Sequence, residues 1–286
     1  MTAGPGHLDV ALLQLNVGDD PQDNLPATIA MIRQAAAGGA QLVLTPEATN
    51  LLSPDRAHQH RILRIQAEDQ TLAALRAEAR AAEIWLLIGS LALLGDDPAD
   101  PRFVNRSFLI APDGTIAAHY DKLHMFDVAI SQTETFRESA AYHPGRSAVL
   151  APGPVPIGMT ICYDLRFPQL YRRLAQAGAG ILTVPAAFNP TTGRDHWQVL
   201  LRARAIETGC FVLAPAQCGT HSARHSPDRP ARHSYGHSLI VDPWGKVLAD
   251  AGLSPGILPM RLDLGSIDRA RSRIPSLSHD RPFDGP

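Results

Sequence analysis

Residues 157–168 read IGMTICYDLRFP, an apolar run that stops abruptly at Cys162 and is followed by a polar turn and a proline. Helix-forming residues continue from 169 to 178, so the pattern predicts a strand, a sharp turn and a helix. Such a turn lies at the carboxyl end of a strand, where open α/β sheets place their chemistry. Cys162 is therefore a candidate nucleophile, and a buried, inert thiol is the alternative interpretation.

Strand and helix patterns alternate along the rest of the chain. They predict helices over 24–37 (capped by Asn24), 69–83, 195–207 and from 266 onward, and strands over 10–17, 42–45, 84–90, 181–185, 210–214 and 257–262. Two hairpins, over 105–120 and 237–249, make the sheet mixed rather than purely parallel. No linker, repeat or shift in composition divides the chain. We therefore expect one α/β domain over 1–286, with a core of about 8–275 and a C-terminal tail over 276–286.

The composition argues against several functional classes. The 286 residues include 26 basic and 28 acidic side chains, for a formal charge of −2, and this balance predicts no binding to nucleic acid or to an anionic membrane. Three cysteines without CxxC spacing cannot form an even disulfide framework, so we expect a reducing compartment, the cytoplasm. The N-terminus has no signal-peptide pattern, and no apolar run reaches membrane-spanning length.

Two further charged residues follow predicted strands. Glu47 comes directly after the apolar strand at 42–45, and Lys122 follows the hairpin that ends near 120. A thiol with an ordinary pKa near 8.5 needs a nearby cation or a base before it is a good nucleophile at neutral pH. Glu47 would accept the proton of Cys162, and Lys122 would stabilise the thiolate and a developing oxyanion.

Three segments resemble, in order, the glutamate, lysine and cysteine motifs of the nitrilase superfamily of carbon–nitrogen hydrolases. They are LTPE at 44–47, YDKLHMFD at 120–127 and ICYDLRFP at 161–168. Each motif alone is weak, but the three together in this order are specific. The resemblance runs from about 10 to 283 and is densest over 196–208 and 235–245, which are similar to the Nit branch of the superfamily.

The resemblance implies a four-layer α-β-β-α sandwich with two mixed sheets, assembled as a homodimer or higher homo-oligomer and working without a metal or organic cofactor. It also implies amide hydrolysis by acyl transfer. Cys162 would attack the carbonyl, Lys122 and the backbone amide of Tyr163 would stabilise the oxyanion, and Glu47 would pass the proton to the leaving amine. Water activated by Glu47 would then hydrolyse the thioester.

A second glutamate after the lysine motif is also implied by the resemblance. Glu138 in FRES matches that pattern and would orient Lys122 and the substrate, whereas Glu134 is the poorer match. By the same resemblance, Phe188 and Thr192 would line the pocket, although both are also ordinary loop residues.

The resemblance further implies a small-molecule amide with a 2-oxo acid or carboxylate head. Enzymes of this branch act on deaminated glutathione, giving 2-oxoglutarate and cysteinylglycine, or on ω-amides such as α-ketoglutaramate; the first is the preferred prediction and ω-amidase activity the alternative. Arg166 would bind the carboxylate of the head with its planar fork, unless it pairs with Asp164 or another acid. The Arg- and His-rich loop at 219–233 is longer than the family pattern, and it would admit or exclude the peptide tail if it borders the entrance.

Three alternative interpretations remain open on the sequence. A cysteine–histidine hydrolase would take its base from His124, His196 or His237. A metal site would use Cys218 and four histidines, His221, His225, His233 and His237. Pro227 and Pro230 interrupt this segment, which argues against the helical spacing that such a site needs. A binding or scaffold protein would retain the fold without the chemistry.

Overall fold

The computed structural model describes residues 6–95, 97, 99–130, 134–225 and 227–285. The first half of the chain forms β1 (His7–Gln14), α1 (Pro21–Ala37), β2 (Leu42–Leu44), α2 (Arg56–Ile62), α3 (Gln70–Ala82), β3 (Trp85–Leu94), β4 (Phe103–Ile110), β5 (Ile116–Asp121), β6 (Asp127–Ala129) and β7 (Thr135–Arg137). The second half forms β8 (Val149–Pro152), β9 (Pro156–Met159), α4 (Pro168–Gln176), β10 (Ile181–Thr183), α5 (Pro190–Thr192), α6 (Gln198–Thr208), β11 (Phe211–Ala214), β12 (Cys218–Thr220), β13 (His233–Tyr235), β14 (Leu239–Val241), β15 (Val247–Asp250), β16 (Gly256–Asp263) and α7 (Gly265–Arg273).

Two six-stranded sheets form the centre of the fold. The first has the order β16-β1-β2-β3-β4-β5 and the second the order β15-β14-β11-β10-β9-β8. Strands β1, β2 and β3 are parallel in the first sheet, as are β9, β10 and β11 in the second. The remaining strands pair antiparallel. Both sheets are therefore mixed, as the two predicted hairpins require.

Strand side chains alternate between two apolar cores. In β1, Val10 and Leu12 pack in the core that contains the second sheet, whereas Ala11 and Leu13 pack in the core that contains α1 and α3. Helices α4 and α6 contact the second sheet through β9, β11 and β14. The layers thus run helix, sheet, sheet, helix, which confirms the predicted α-β-β-α sandwich. Among the described residues, no helix is long and apolar enough to cross a bilayer.

The predicted cap and start of the first helix were wrong. Helix α1 begins at Pro21 and is capped by Asp20, whose Oδ1 accepts a bond from the amide of Gln22 at 2.8 Å. Asn24 does not cap it, because its side-chain amide donates to the carbonyls of Gly18 and Asn50. The helix predicted over 195–207 is helical throughout, because a π-helical turn over Gly193–Trp197 runs directly into α6.

Gly89 in β3 lies very close to the residues that follow β2 and to Pro185, which follows β10. A Cβ there would lie 2.1 Å from the carbonyl oxygen of Thr45, 2.5 Å from that of Pro46 and 2.6 Å from the Pro185 Cβ. We expect Gly89→Ala to lower the free energy of unfolding by about 3 kcal/mol, because backbone cannot yield to the extra methyl group. Urea unfolding measures it, with Gly256→Ala as the control, since a Cβ at Gly256 meets no atom within 4 Å. Equal stability of the two variants would contradict the prediction.

Candidate active site

Cys162 opens the turn that leads from β9 into α4, and this strand, turn and helix confirm the pattern predicted from residues 157–178. Its φ of 48° is left-handed, a conformation that costs energy for a residue with a side chain. Two contacts hold the turn. The Cys162 amide donates to the Pro185 carbonyl at 3.0 Å, and Asp164 Oδ2 accepts a bond from the amide of Ile161 at 2.8 Å. The thiol is consequently fixed at the end of the strand, with Cys162 only 7% exposed.

Glu47 lies just beyond β2 and is buried. Its Oε1 accepts hydrogen bonds from Lys122 Nζ at 2.9 Å and from Asn105 Nδ2 at 2.9 Å, and its Oε2 accepts one from the Ala187 amide at 2.8 Å. The Gln217 side chain also donates to the Glu47 carbonyl at 3.0 Å. Four partners thus fix both the backbone and the carboxylate of this residue.

Lys122 directly follows β5 and reaches a second carboxylate. Its Nζ lies 2.9 Å from both carboxylate oxygens of Glu138, and Glu138 Oε2 also accepts a bond from the Phe126 amide at 2.6 Å. The β6–β7 hairpin brings Glu138 to this position. Glu134 instead accepts a bond from Asn189 at 2.6 Å. Of the two predicted glutamates, Glu138 is therefore the one that contacts Lys122.

One cavity joins these side chains. Its floor contains Glu47, Lys122, Cys162 and Glu138. Apolar and aromatic residues form its walls: Leu51, Leu52, Phe126, Phe136, Tyr142, Tyr163 and Phe188. Thr192, Arg137 and Arg232 also line it. A polar floor under apolar walls is the usual form of a small-molecule site.

The charges of the floor residues depend on one another. Burial alone would raise the pKa of Glu47, but the Lys122 ammonium outweighs it and lowers the pKa of this carboxyl. Burial also opposes the charge of Lys122, yet the carboxylates of Glu138 and Glu47 raise the pKa of its ammonium well above the ordinary value. Burial, together with the Glu47 carboxylate, raises the pKa of the Cys162 thiol. At neutral pH the resting site holds an ionised glutamate, a protonated lysine and a neutral thiol.

Arg166 takes a position that the sequence did not indicate. It is not among the residues that line the cavity. Its guanidinium lies 5.4 Å from the ring centre of Phe188 and 5.8 Å from that of Tyr163, and it bonds to His196 at 3.3 Å. Arg166 thus stacks on two residues of the cavity wall. It is not paired with Asp164, which binds Tyr120 and His124 at 2.6 Å each.

The histidines considered as alternative bases lie elsewhere. Within the described chain, no histidine lines the cavity. His124 bonds to Asp164 and stacks on Phe167, and His237 bonds to Asp250 at 3.0 Å. No group of three or more His, Cys, Asp or Glu side chains among the described residues is arranged to hold a metal ion.

The sequence patterns did not indicate two polar residues of the cavity, Asn105 and Gln59. Asn105 holds Glu47 through its amide nitrogen, and Gln59 donates to the Ser53 carbonyl at 2.7 Å. The side-chain oxygens of both are buried without a hydrogen-bond partner in the described structure. A lone asparagine in the strand predicted from 105 was the available signal, because a buried strand favours apolar residues. Gln59 lies in α2, a helix for which no prediction was made.

Part of the Arg- and His-rich loop at 219–233 is buried. Strands β12 and β13 pair across its base. His221 is 2% exposed, and its two ring nitrogens bond to the Val17 carbonyl and the Ser234 hydroxyl at 2.8 Å each. The amide of His221 also donates to the carbonyl of Arg232 at 2.9 Å. His221 therefore fixes the backbone beside one of the arginines that line the cavity.

Acid is expected to weaken this anchor. Burial lowers the pKa of His221 to about 4 from an ordinary 6.5, so between these values the unfolded chain binds more protons and stability falls as the pH falls. The pKa difference corresponds to a loss of about 3 kcal/mol. Urea unfolding at about pH 7 and about pH 4.5 should show a smaller acid loss for His221→Gln than for the wild type. Equal losses in the two proteins would contradict this assignment.

Comparisons with known proteins identify the family. Residues 9–272 match the carbon-nitrogen hydrolase family model. The deaminated glutathione amidase of Yersinia enterocolitica is 38% identical over 279 residues, covering 96% of this chain and 93% of that protein.

Two solved structures are also similar. Saccharomyces cerevisiae Nit3, a member of branch 10 of the nitrilase superfamily, has a TM-score of 0.82 at 30% identity over 99% of both chains. A mutant of the amidase from Nesterenkonia sp. AN1, with acrylamide added at its active site cysteine, has a TM-score of 0.74 at 27% identity over 93% of this chain and 98% of its own. The present chain belongs to the carbon–nitrogen hydrolase family, as its three motifs predict.

Proposed function

We propose that this protein is a cysteine-dependent amidase that hydrolyses deaminated glutathione to 2-oxoglutarate and cysteinylglycine. The observation that carries the proposal is the convergence of Glu47, Lys122 and Cys162 on the floor of one cavity, with Lys122 Nζ 2.9 Å from Glu47 Oε1. The similarity to a relative of that activity supports the choice of substrate.

The first half of the reaction forms a thioester. Glu47 takes the proton of the Cys162 thiol as sulfur attacks the amide carbonyl. The Lys122 ammonium and the backbone amide of Tyr163 stabilise the negative oxygen of the tetrahedral intermediate. The carbon–nitrogen bond then breaks, Glu47 returns the proton to the leaving nitrogen, and cysteinylglycine departs.

The second half restores the enzyme. Glu47 accepts a proton from a water molecule as the water oxygen attacks the thioester carbonyl. The tetrahedral intermediate then collapses and releases the Cys162 sulfur. Glu47 returns the proton to Cys162, and the acid product leaves. Glu138 is a positioning residue in this scheme, because its two oxygens hold the Lys122 ammonium and one of them also binds the Phe126 amide.

The surroundings of the floor suit this proton transfer. The thiol is neutral at rest, since burial and Glu47 raise its pKa, so an adjacent base has to remove its proton as the attack begins. The Glu47 carboxylate is ionised and is held by Lys122 and Asn105 on one oxygen and by the Ala187 amide on the other. Phe188 and Thr192 line the cavity and would contact the substrate.

The test compares two amides. We expect kcat/KM for deaminated glutathione to exceed that for α-ketoglutaramate by about 100-fold, or about 2.7 kcal/mol of transition-state binding. Cys162→Ala provides the blank. The reverse preference would make the enzyme an ω-amidase, and activity on neither amide would remove the substrate assignment.

We further propose that the enzyme works in the cytoplasm as a homodimer or higher homo-oligomer. Three cysteines that are all free support a reducing compartment. Two apolar side chains on α6 are largely exposed, Val199 to 65% and Ile206 to 55%. They would make apolar contacts with a second copy of the chain. Sedimentation at several concentrations tests the assembly, and a purely monomeric protein would contradict it.

A further inference from the structure

The cavity has one cationic side chain deep on its floor and two others among its lining residues. Lys122 is paired with two carboxylates, Glu47 and Glu138. Arg137 and Arg232 are exposed and make no ion pair within the described part of the chain. A substrate carboxylate therefore meets a guanidinium that has no ion pair in the described structure at Arg137 or Arg232, and not at Lys122.

Arg232 is held next to the catalytic carboxylate. Its Nη2 lies 3.4 Å from the carbonyl oxygen of Ala187, the residue whose amide donates to Glu47 Oε2 at 2.8 Å. One residue thus links the guanidinium to the base. The Arg232 charge also helps to lower the pKa of Glu47, in agreement with this proximity.

The backbone around Arg232 is fixed although its side chain is exposed. The carbonyl of Arg232 accepts a bond from the His221 amide at 2.9 Å, and the amide of Tyr235 donates to the carbonyl of Phe188 at 2.9 Å. These bonds tie the end of the 219–233 segment to the buried His221 and to a wall residue of the cavity. An anchored arginine loses less freedom on binding a ligand than one on an unattached loop.

The end of the cavity near Glu47 suits the leaving group. In the proposed reaction Glu47 protonates the leaving nitrogen, so that nitrogen lies beside Glu47. The Asn105 side-chain oxygen is buried without a partner in the described structure, on the amide that also holds Glu47. It is an acceptor for an N–H group, and the scissile amide of deaminated glutathione supplies one. Arg232 lies at this end of the cavity, because its guanidinium bonds to the carbonyl of Ala187. Arg137 instead directly precedes Glu138 in the chain.

We propose that Arg232 binds the terminal carboxylate of the leaving group, the glycine carboxylate of deaminated glutathione. Two extended residues separate this carboxylate from the scissile carbonyl, a span of about 7 Å. A planar guanidinium matches a carboxylate with two parallel hydrogen bonds. Arg232 then determines specificity, because it favours amides with an acidic peptide tail over amides that release ammonia. The inference rests on the proposed function and goes beyond it in assigning the tail to a residue.

Three substrates and three variants test it. The substrates are deaminated glutathione, its C-terminal carboxamide and α-ketoglutaramate, and the variants are Arg232→Gln, Arg232→Lys and Arg224→Gln. Arg224 is the matched control, because it lies in the same segment but faces Asp23 at 3.6 Å and does not line the cavity.

We expect Arg232→Gln to lower kcat/KM for deaminated glutathione by about 10- to 100-fold, mainly through KM, since a charge-assisted hydrogen bond is lost. For the wild type, kcat/KM for the carboxamide should be lower than for deaminated glutathione by a similar factor. For Arg232→Gln, kcat/KM should be the same for both substrates. Arg232→Lys should recover part of the loss, and α-ketoglutaramate, which has no tail, should change by less than about 3-fold in each variant.

Equal losses by Arg232→Gln on all three substrates would overturn the assignment, because they would indicate a role in the head group or in folding. The assignment would also be overturned if Arg232→Gln lowered kcat/KM for the carboxamide as much as it lowers kcat/KM for deaminated glutathione. A wild-type enzyme that does not cleave deaminated glutathione would instead overturn the proposed function, and this inference with it. The outcomes for the wild type and for the variants are therefore separable.

Discussion

Replacing Cys162 with serine is expected to lower kcat by at least about 10⁴-fold on any amide that the enzyme cleaves. A serine hydroxyl is far less acidic than a thiol, and Glu47 is a weak base, because the Lys122 ammonium lowers the pKa of its carboxyl. The hydroxyl would therefore stay protonated when attack has to begin. Steady-state kinetics with product detection measures the loss.

The other buried cysteines provide the control for this variant. Cys218 and Cys210 are also free and buried, but neither lines the cavity. Cys218→Ala should retain kcat within about 3-fold, since its thiol has no role in the proposed reaction. If Cys162→Ser kept a tenth of the activity while remaining folded, sulfur would not be the nucleophile.

Replacing Glu47 with glutamine is expected to lower kcat by about 10³-fold, within the range that general acid–base catalysis contributes. The amide keeps the size of the carboxylate and accepts bonds at one oxygen only, and it cannot take the thiol proton. Lys122 loses one of its two carboxylate partners, and Glu138 still holds it. Both thioester formation and thioester hydrolysis should therefore slow down, which single-turnover and steady-state kinetics measure separately.

Glu134→Gln is the matched control for that experiment, because Glu134 bonds to Asn189 and not to Lys122. Its activity should stay within about 3-fold of the wild type. A Glu47→Gln enzyme as active as Glu134→Gln would exclude Glu47 as the base. The difference between the two variants therefore isolates the proton transfer from a general change of charge.

The strand and helix patterns were sufficient to predict an α/β domain with mixed sheet pairing, and the resemblance to a known family added the four layers and two sheets. Buried parallel strands appear as continuous apolar runs, so residues that follow such runs, including Glu47 and Cys162, are recognisable as strand-end residues. Lys122 follows a hairpin and was recognisable for the same reason. The resemblance to a known family added the expectation about Glu138.

The walls of the cavity depend on contacts that a linear pattern does not contain. Arg166 follows the nucleophile closely, but its position is set by stacking on Phe188 and Tyr163, which come from different elements. Arg232 lies 70 positions after Cys162 and directly precedes β13, which pairs with β12. Asn24 resembles a helix cap, but its side-chain amide bonds to the carbonyls of Gly18 and Asn50 instead. Side-chain direction in each case is a property of the folded packing.

The most direct test of the proposed chemistry is a single-turnover experiment with excess enzyme and deaminated glutathione, quenched in acid at successive times and followed by mass spectrometry of the digested protein. We expect a 2-oxoglutaryl group to appear on Cys162 as cysteinylglycine is released, and to disappear as 2-oxoglutarate forms. Slower decay of the same adduct is expected in Glu47→Gln. Release of cysteinylglycine with no adduct on Cys162 at any time, or with the acyl group on another residue, would contradict a thioester mechanism at this site.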